Sequence, residues 1–350
     1  MEGSPRSNHA RKLKHRRNVQ RKRVRLRRKF TREHREGVFG KVKNALYAPL
    51  PFVGKSHDLV LPEKLNLITD YEVSVAFFAE VRRVLSDKRI RSVNLDHRQQ
   101  KEIAPEAALL LIAELFRSHE RDPKKSKKCT CPTDPVVCWV LHEVGYFNYF
   151  PGLKYQVATQ RRGYLRHHHG RRTNGKTVKA LIEHFEKRVT FEPLGRQTLY
   201  NALIESMNNV AEHAYVRRRG NRFDYGEWWL LGYFDDDAHE ISFSFYDQGL
   251  GIPKTIRARL RHQLRSGAAL IREAVEHGIS RTKLNTRGRG LPSLKKFVDA
   301  AVEGTLVISS LESQCVFHKG KTPLEQTWNI ALPGTLITWN IRVGVKEEQL

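Results

Sequence analysis

The sequence predicts an α/β protein, and three observations carry that reading. Strand-like and helix-like patterns alternate through residues 58–117, and one long amphipathic helical stretch, QTLYNALIESMNNVAEHAY, fills residues 197–215. Alternating apolar strands and pairs of glycines then follow to the end of the chain. A chain of 350 residues is long enough for two domains, each burying its own core.

The first 50 residues read as a basic tail. The whole chain carries 63 Lys and Arg against 37 Asp and Glu, a net charge of +26. Residues 1–36 hold 15 Lys and Arg against 3 Asp and Glu, a net +12, leaving +14 for the rest. Too few apolar residues are present there to form a core, so the segment is expected to be disordered, or helical only against a partner. Such a tail grips phosphate backbones by releasing counterions, without reading sequence. Nucleic acid or another polyanion is therefore the expected partner of residues 1–36. Anionic lipid would have few apolar anchors, Val19, Val24, Leu26 and Phe30 among them, and a solubilising arm is the plainer alternative. The segment lacks an apolar secretory core, and no run of about 18 apolar residues occurs, so no membrane span is expected. Four cysteines in so basic a chain are expected to be reduced thiols, which suits a cytoplasmic location.

Residues 51–160 are expected to form a small α/β domain. A short strand at 58–61 precedes DYEVSVAFFAEVRRVLS, residues 70–86, where Val73, Phe77, Val81 and Val84 recur at helical spacing. IRSVNLD is an alternating strand ending at Asp96, and residues 104–117 are an apolar, buried helix. Cys129, Cys131 and Cys138 with His142 are spaced C-x-C-x6-C-x3-H, which matches no common zinc frame. Residues 161–174, with His167, His168 and His169 among arginines, read as a basic, solvated linker.

From residue 175 onward the glycine pairs and polar residues suit a metal–nucleotide site. GKTVKALIEHFEKRV opens this part as a helix. In residues 197–215, Leu199, Leu203, Met207 and Val210 form an apolar stripe, with Glu205, Asn209 and His213 laddered beside it at four-residue spacing. The Asn209 amide oxygen is a hard neutral ligand for Mg²⁺, and Glu205 is able to polarise a water or hydroxyl. Residues 227–234 and 240–246 are expected to pair as antiparallel strands, the second ending at Asp247. Gly249 and Gly251 then free the backbone to turn tightly. TRGRGLPSLKKFVDAA places Gly288 and Gly290 before a new helix, whose N-terminal amides are able to bind phosphate. LPGTLITWNIRV closes with Gly334 and Thr335 leading into a strand.

In this order and at these distances, the four segments resemble the boxes of the GHKL ATPases, the group of gyrase-type topoisomerases, the heat-shock chaperone, histidine kinases and the mismatch-repair ATPase. Glu205-x3-Asn209-x3-His213 is similar to the first box, Asp247-x-Gly249-x-Gly251 to the second, Gly288-x-Gly290-Leu291 to the third, and Thr335 to the closing threonine. The resemblance covers residues 175–350 and implies a Bergerat-type ATP-binding sandwich, a mixed sheet with helices on one face. It implies that Asn209 holds Mg²⁺ and that Glu205 acts as general base. Asp247 would accept from the adenine amino group, with Thr335 supporting it through water, and Gly288 and Gly290 would let the backbone close over the phosphates. A basic lid is implied at 254–287, with Lys283, Arg287 and Arg289 as candidates for the γ-phosphate. Residues 51–160 resemble, more loosely, a STAS-type domain. The stretch DHRQQKEIAP after its Asp96 strand has no Ser or Thr to phosphorylate, so docking of a protein partner or homodimerisation is the implied role.

The implied cofactors are ATP and Mg²⁺, and two reactions stay open. One is a slow ATPase whose nucleotide state gates protein or nucleic-acid contacts. The other is a serine/threonine protein kinase of the anti-sigma-factor type, to which the first box is similar in its E-x3-N-x3-H-A-Y wording. A histidine kinase is disfavoured, because no phospho-acceptor helical hairpin precedes the boxes and His142 in VLHEVGYF lacks acidic and arginine companions.

Overall fold

Runs of alternating Val, Leu, Ile and Phe become strands here, and the amphipathic runs between them become helices that cover those strands. The structure, a computed structural model, describes residues 56–157, 163–191, 193–215, 226–259, 265–278 and 290–345. Residues 1–55, residues 216–225, and Lys283, Arg287, Gly288 and Arg289 lie outside these described residues.

The first elements are β1 (Ser56–Val60), β2 (Lys64–Leu65), α1 (Tyr71–Ser86), β3 (Ser92–Asp96), β4 (Glu102–Ile103), α2 (Pro105–Arg121), β5 (Ser126–Cys129) and α3 (Pro135–Glu143). Strands β1, β3 and β5 form a parallel sheet in that order, and β2 pairs in parallel with β4. The helix α3 starts sharply, since Pro135 opens it and the Asp134 carboxylate accepts from Val136 N–H and Val137 N–H.

Then come β6 (Gly163–Gly170), α4 (Gly175–Phe185), β7 (Val189–Thr190), α5 (Pro193–Asn209), a π-helical turn (Val210–Ala214), β8 (Trp228–Asp235) and β9 (Glu240–Asp247). The last are α6 (Ile252–Arg259), α7 (Gly267–His277), α8 (Gly290–Ala300), β10 (Gly304–His318), β11 (Leu324–Arg342) and β12 (Gly344–Val345). Five strands build the main sheet in the order β10-β11-β9-β8-β6, with antiparallel neighbours throughout. The expected pairing of residues 227–234 with 240–246 is present. The class is mixed α/β, with parallel and antiparallel sheets. No helix among the described residues is long and apolar enough to cross a membrane.

Helices cover both faces of the main sheet, those from residues 175–350 on one and those from residues 51–160 on the other. On one face Leu199, Leu203 and Met207 of α5, Leu181 and Phe185 of α4, and Leu294 and Phe297 of α8 pack on Phe243, Phe245 and Trp339. On the other face lie α1 and α2. Phe116 meets Trp229 with ring centroids 6.0 Å apart, and Tyr71 stacks on Trp328 at 4.8 Å. The physical reason is that α2 is apolar nearly all round, so one side serves the small parallel sheet while the other covers the large one. Residues Lys55–Leu350 fall within one compact unit.

Most of the expected linker is strand β6, the edge of the main sheet, with His167 opposite Leu231 and His169 opposite Trp229. Burial holds the His169 imidazole down at about 4, with Arg171 adding to the shift, so the ring is neutral near pH 7. It stacks on Trp229 at 5.0 Å as an ordinary aromatic. In the described part of the expected lid, α6 and α7 are packed helices, with Ile256, Leu270 and Ala274 forming a cluster and Ile271 and Val275 in the main core. In it Arg265 pairs with Glu273, and Arg272 pairs with Glu276 and Glu325.

One layer of α1 and α2 on the sheet implies one cooperative unfolding unit for these elements. Trp229→Ala is expected to cost about 3–5 kcal/mol, the usual loss for a buried tryptophan, and to lower a single calorimetric transition of the full chain. Two separable transitions, only one of them moved, would mean that the helices and the sheet fold independently.

Candidate functional site

Strand alternation places the site. Along β9, Ile241, Phe243 and Phe245 turn toward α5 and α8, and Asp247, two residues further, ends the strand on the same face. Its neighbours in register are Thr335 of β11 and Trp228 of β8. Asp247 is 6 % exposed. Its Oδ1 accepts from Gly249 N–H at 2.7 Å, and Thr335, opposite it in register, also favours the ionised carboxyl. Burial nonetheless pushes the group from its ordinary 3.8 up to about 7, because two neutral groups do not replace bulk water around a carboxylate.

The four sequence segments meet through glycines. Gly334 has φ +92°, and a Cβ there would lie 1.9 Å from the Asp247 carbonyl oxygen. Gly249 passes so close to the π-helical turn that a Cβ would lie 2.3 Å from the Ala214 carbonyl oxygen, which accepts from Leu250 N–H at 2.6 Å. Gly251, at φ +84°, folds against Ser310 and Leu311. Gly290 begins α8 against the side chains of α5, where a Cβ would meet Glu205 Oε2 at 2.8 Å and the Asn209 carboxamide at 3.6–3.7 Å. Backbone thus runs in contact from Gly290 across Glu205 and Asn209 to Ala214, Gly249, Asp247 and Gly334. Only residues without a side chain allow that closeness.

Glu205 is half-buried, and burial raises its carboxyl above the ordinary 4.5, with the Glu212 carboxylate adding to the shift. Among the described residues the Asn209 carboxamide nitrogen is enclosed without a hydrogen-bond partner. The helix changes to π winding at Val210, and His213 Nε2 lies 3.5 Å from the Glu212 carboxylate. Leu291 is half-exposed at the start of α8 and packs beside Ile256 and Leu270.

Two residues escaped the sequence reading. The Ser310 hydroxyl joins three parts of the site, accepting from Ile252 N–H at 2.9 Å, lying 3.1 Å from Thr335 Oγ1, and donating to the Gly334 carbonyl at 2.9 Å. The Tyr215 hydroxyl accepts from Gln248 N–H at 3.1 Å and donates to the Glu227 carbonyl at 3.1 Å. A serine pair inside the apolar run VISSLES was the available signal for Ser310.

The cysteine set considered for zinc does not assemble. Cys131 and Cys138 thiols each donate to a backbone carbonyl at 3.3 Å, of Lys154 and Gln156, and His142 Nδ1 lies 3.0 Å from the Tyr155 hydroxyl. Among the described residues, no group of three or more His, Cys, Asp and Glu is placed to hold a metal ion. Comparison of the chain with protein-family models and with curated proteins finds no match.

The raised Asp247 carboxyl links stability to pH with a definite sign. An acid that holds its proton more tightly when folded contributes fully below pH about 4, and that contribution is lost as pH rises through about 7. Asp247→Asn is therefore expected to gain stability relative to the native chain across this window, read by urea unfolding at several pH values. Parallel curves would show that Asp247 ionises freely in the folded state. Gly334→Ala is expected to cost on the order of 1–3 kcal/mol from backbone strain alone, and more from the collision with Asp247; an unchanged melting temperature would refute the tight approach.

Proposed function

We propose that residues 175–350 bind Mg·ATP in the manner of the GHKL ATPases, and that nucleotide state regulates contacts made elsewhere on the chain. The observation that carries this reading is the run of glycine contacts joining Glu205 and Asn209 to Gly290 at one end and Asp247 to Gly334 at the other. A buried carboxylate with a threonine beside it suits the amino edge of a purine. The start of an 11-residue helix beside a carboxamide suits phosphate and its metal.

In this reading Asp247 accepts from the adenine amino group and Thr335 supports it. The residues around Asn209 fit a hard cation, since an enclosed carboxamide and the Glu205 carboxylate face the same glycine. Mg²⁺, when bound, would neutralise charge on the phosphates. Asn209 supplies the neutral oxygen, Glu205 the base for a water, and Gly290 the backbone approach. Lys283, Arg287 and Arg289 keep their proposed role at the γ-phosphate. The STAS-like reading of the first α/β elements also stands as a proposal, with α1 and α2 engaged by the sheet and the edges β1 and β5 left for a protein partner or second copy. Residues 1–36 are the proposed polyanion contact.

Asp247→Asn is expected to abolish ATP binding in calorimetry while the chain stays folded, because a carboxamide meets the adenine amino group with the wrong donor pattern. Asn209→Ala is expected to lose the Mg²⁺-dependent part of the affinity. Glu205→Ala is expected to bind ATP and to lose on the order of 10²–10⁴ in turnover. Equal ATP affinity in the native chain and Asp247→Asn would sink the assignment of the adenine pocket. Label from γ-labelled ATP appearing only as free phosphate fits the slow ATPase, and label retained on a protein serine makes the chain a kinase.

A further inference from the structure

Asp247 faces the candidate nucleotide cleft, so its two chain neighbours, Tyr246 and Gln248, face the opposite layer. Both reach the same buried ion pair. In that layer Arg82 of α1 bonds Glu114 of α2, with Nε donating to Oε1 at 2.9 Å and Nη2 to the same oxygen, and Glu114 is only 4 % exposed. The Gln248 carboxamide donates from Nε2 to Glu114 Oε1 at 2.9 Å, and its oxygen receives Arg117 Nη1 at 3.4 Å. Arg82 Nη2 also reaches the Tyr246 hydroxyl at 3.4 Å, and that hydroxyl donates to the Pro333 carbonyl at 2.9 Å. Pro333 directly precedes Gly334 and Thr335. One ion pair therefore grips the backbone on both sides of Asp247, and through Pro333 the segment that carries Thr335.

A buried pair of this kind is costly unless every lone pair and proton finds a partner. Here the remaining partners come from the site strands rather than from α1 and α2, which ties the geometry of one layer to the other. We infer that Glu114, Arg82 and Gln248 are positioning residues for the nucleotide site, so that the docking of α1 and α2 and the occupancy of the cleft are energetically coupled. The inference rests on the Mg·ATP reading above. By linkage the coupling is reciprocal: nucleotide tightens the hold of α1 and α2 on the sheet by the same factor that their hold tightens nucleotide.

The test uses the full chain and a non-hydrolysable ATP analogue with Mg²⁺, read by calorimetry at a temperature where each variant is folded by circular dichroism. Gln248→Glu sets a carboxylate against Glu114 and is expected to weaken analogue binding by about fivefold or more, the lower range of typical coupling. Glu114→Gln removes the carboxylate that Arg82 and Gln248 share and is expected to weaken binding in the same direction. Should Gln248→Glu fail to fold, Gln248→Leu removes both bonds without adding charge and is expected to weaken binding in the same direction. Hydrogen exchange supplies the reciprocal readout, with slower exchange expected in residues 71–86 and 105–121 when the analogue binds. A native chain that binds no nucleotide overturns the Mg·ATP reading, and this inference with it. Binding by the native chain together with unchanged affinity in Gln248→Glu or Gln248→Leu overturns the inference alone. So does exchange in residues 71–86 and 105–121 that bound analogue leaves unchanged.

Discussion

Everything in this chain depends on a sheet whose two faces are both taken out of water. Strand β8 reads WWLLGYFD, and its first two residues, Trp228 and Trp229, are each 2 % exposed on opposite faces. A strand with one wet face alternates apolar with polar residues, whereas one buried twice is apolar throughout. The three layers follow: α1 and α2 behind, the antiparallel sheet in the middle, and α4, α5, α7 and α8 in front. A polar residue at the end of such a strand is placed where water is scarce. This is why Asp247 holds its proton far above the ordinary carboxylate range.

The elements were legible because periodicity survives in the folded chain. The helices at 70–86, 104–117 and 175–189, and the strands ending at Asp96 and Asp247, fall within a few residues of their expected places. What periodicity does not carry is the partner of each face. The doubled tryptophan and the apolar girdle of α2 announce a second layer, yet either would also suit a separate small domain. Strand β6 was hidden by its charge. Three histidines beside arginines look solvated, and only the neutral, stacked state of His169 makes them strand residues.

At the candidate site, sequence spacing was a good guide to the glycines and a poor one to the helix. Glu205 and Asn209 sit one turn apart and both approach Gly290. The π turn at Val210 could not be read from spacing alone. Ser310 comes from a strand with no motif, and Gln248 occupies a position that the D-x-G-x-G pattern treats as free. The pattern describes what faces the cleft. The residues behind it answer to the other layer, so their identities follow from packing that is specific to this chain.

The π turn at Val210–Ala214 has a consequence of its own. Such a turn is an α-helix carrying one residue more than its winding needs. Here that surplus residue is the means by which the Ala214 carbonyl reaches Leu250 N–H and the Gly249 backbone. The segment between Asn209 and Tyr215 is thus calibrated by length rather than by composition. Shortening it by a single residue would let the helix relax into regular winding and withdraw the carbonyl from the glycine turn. Many changes of side chain there would leave that reach intact.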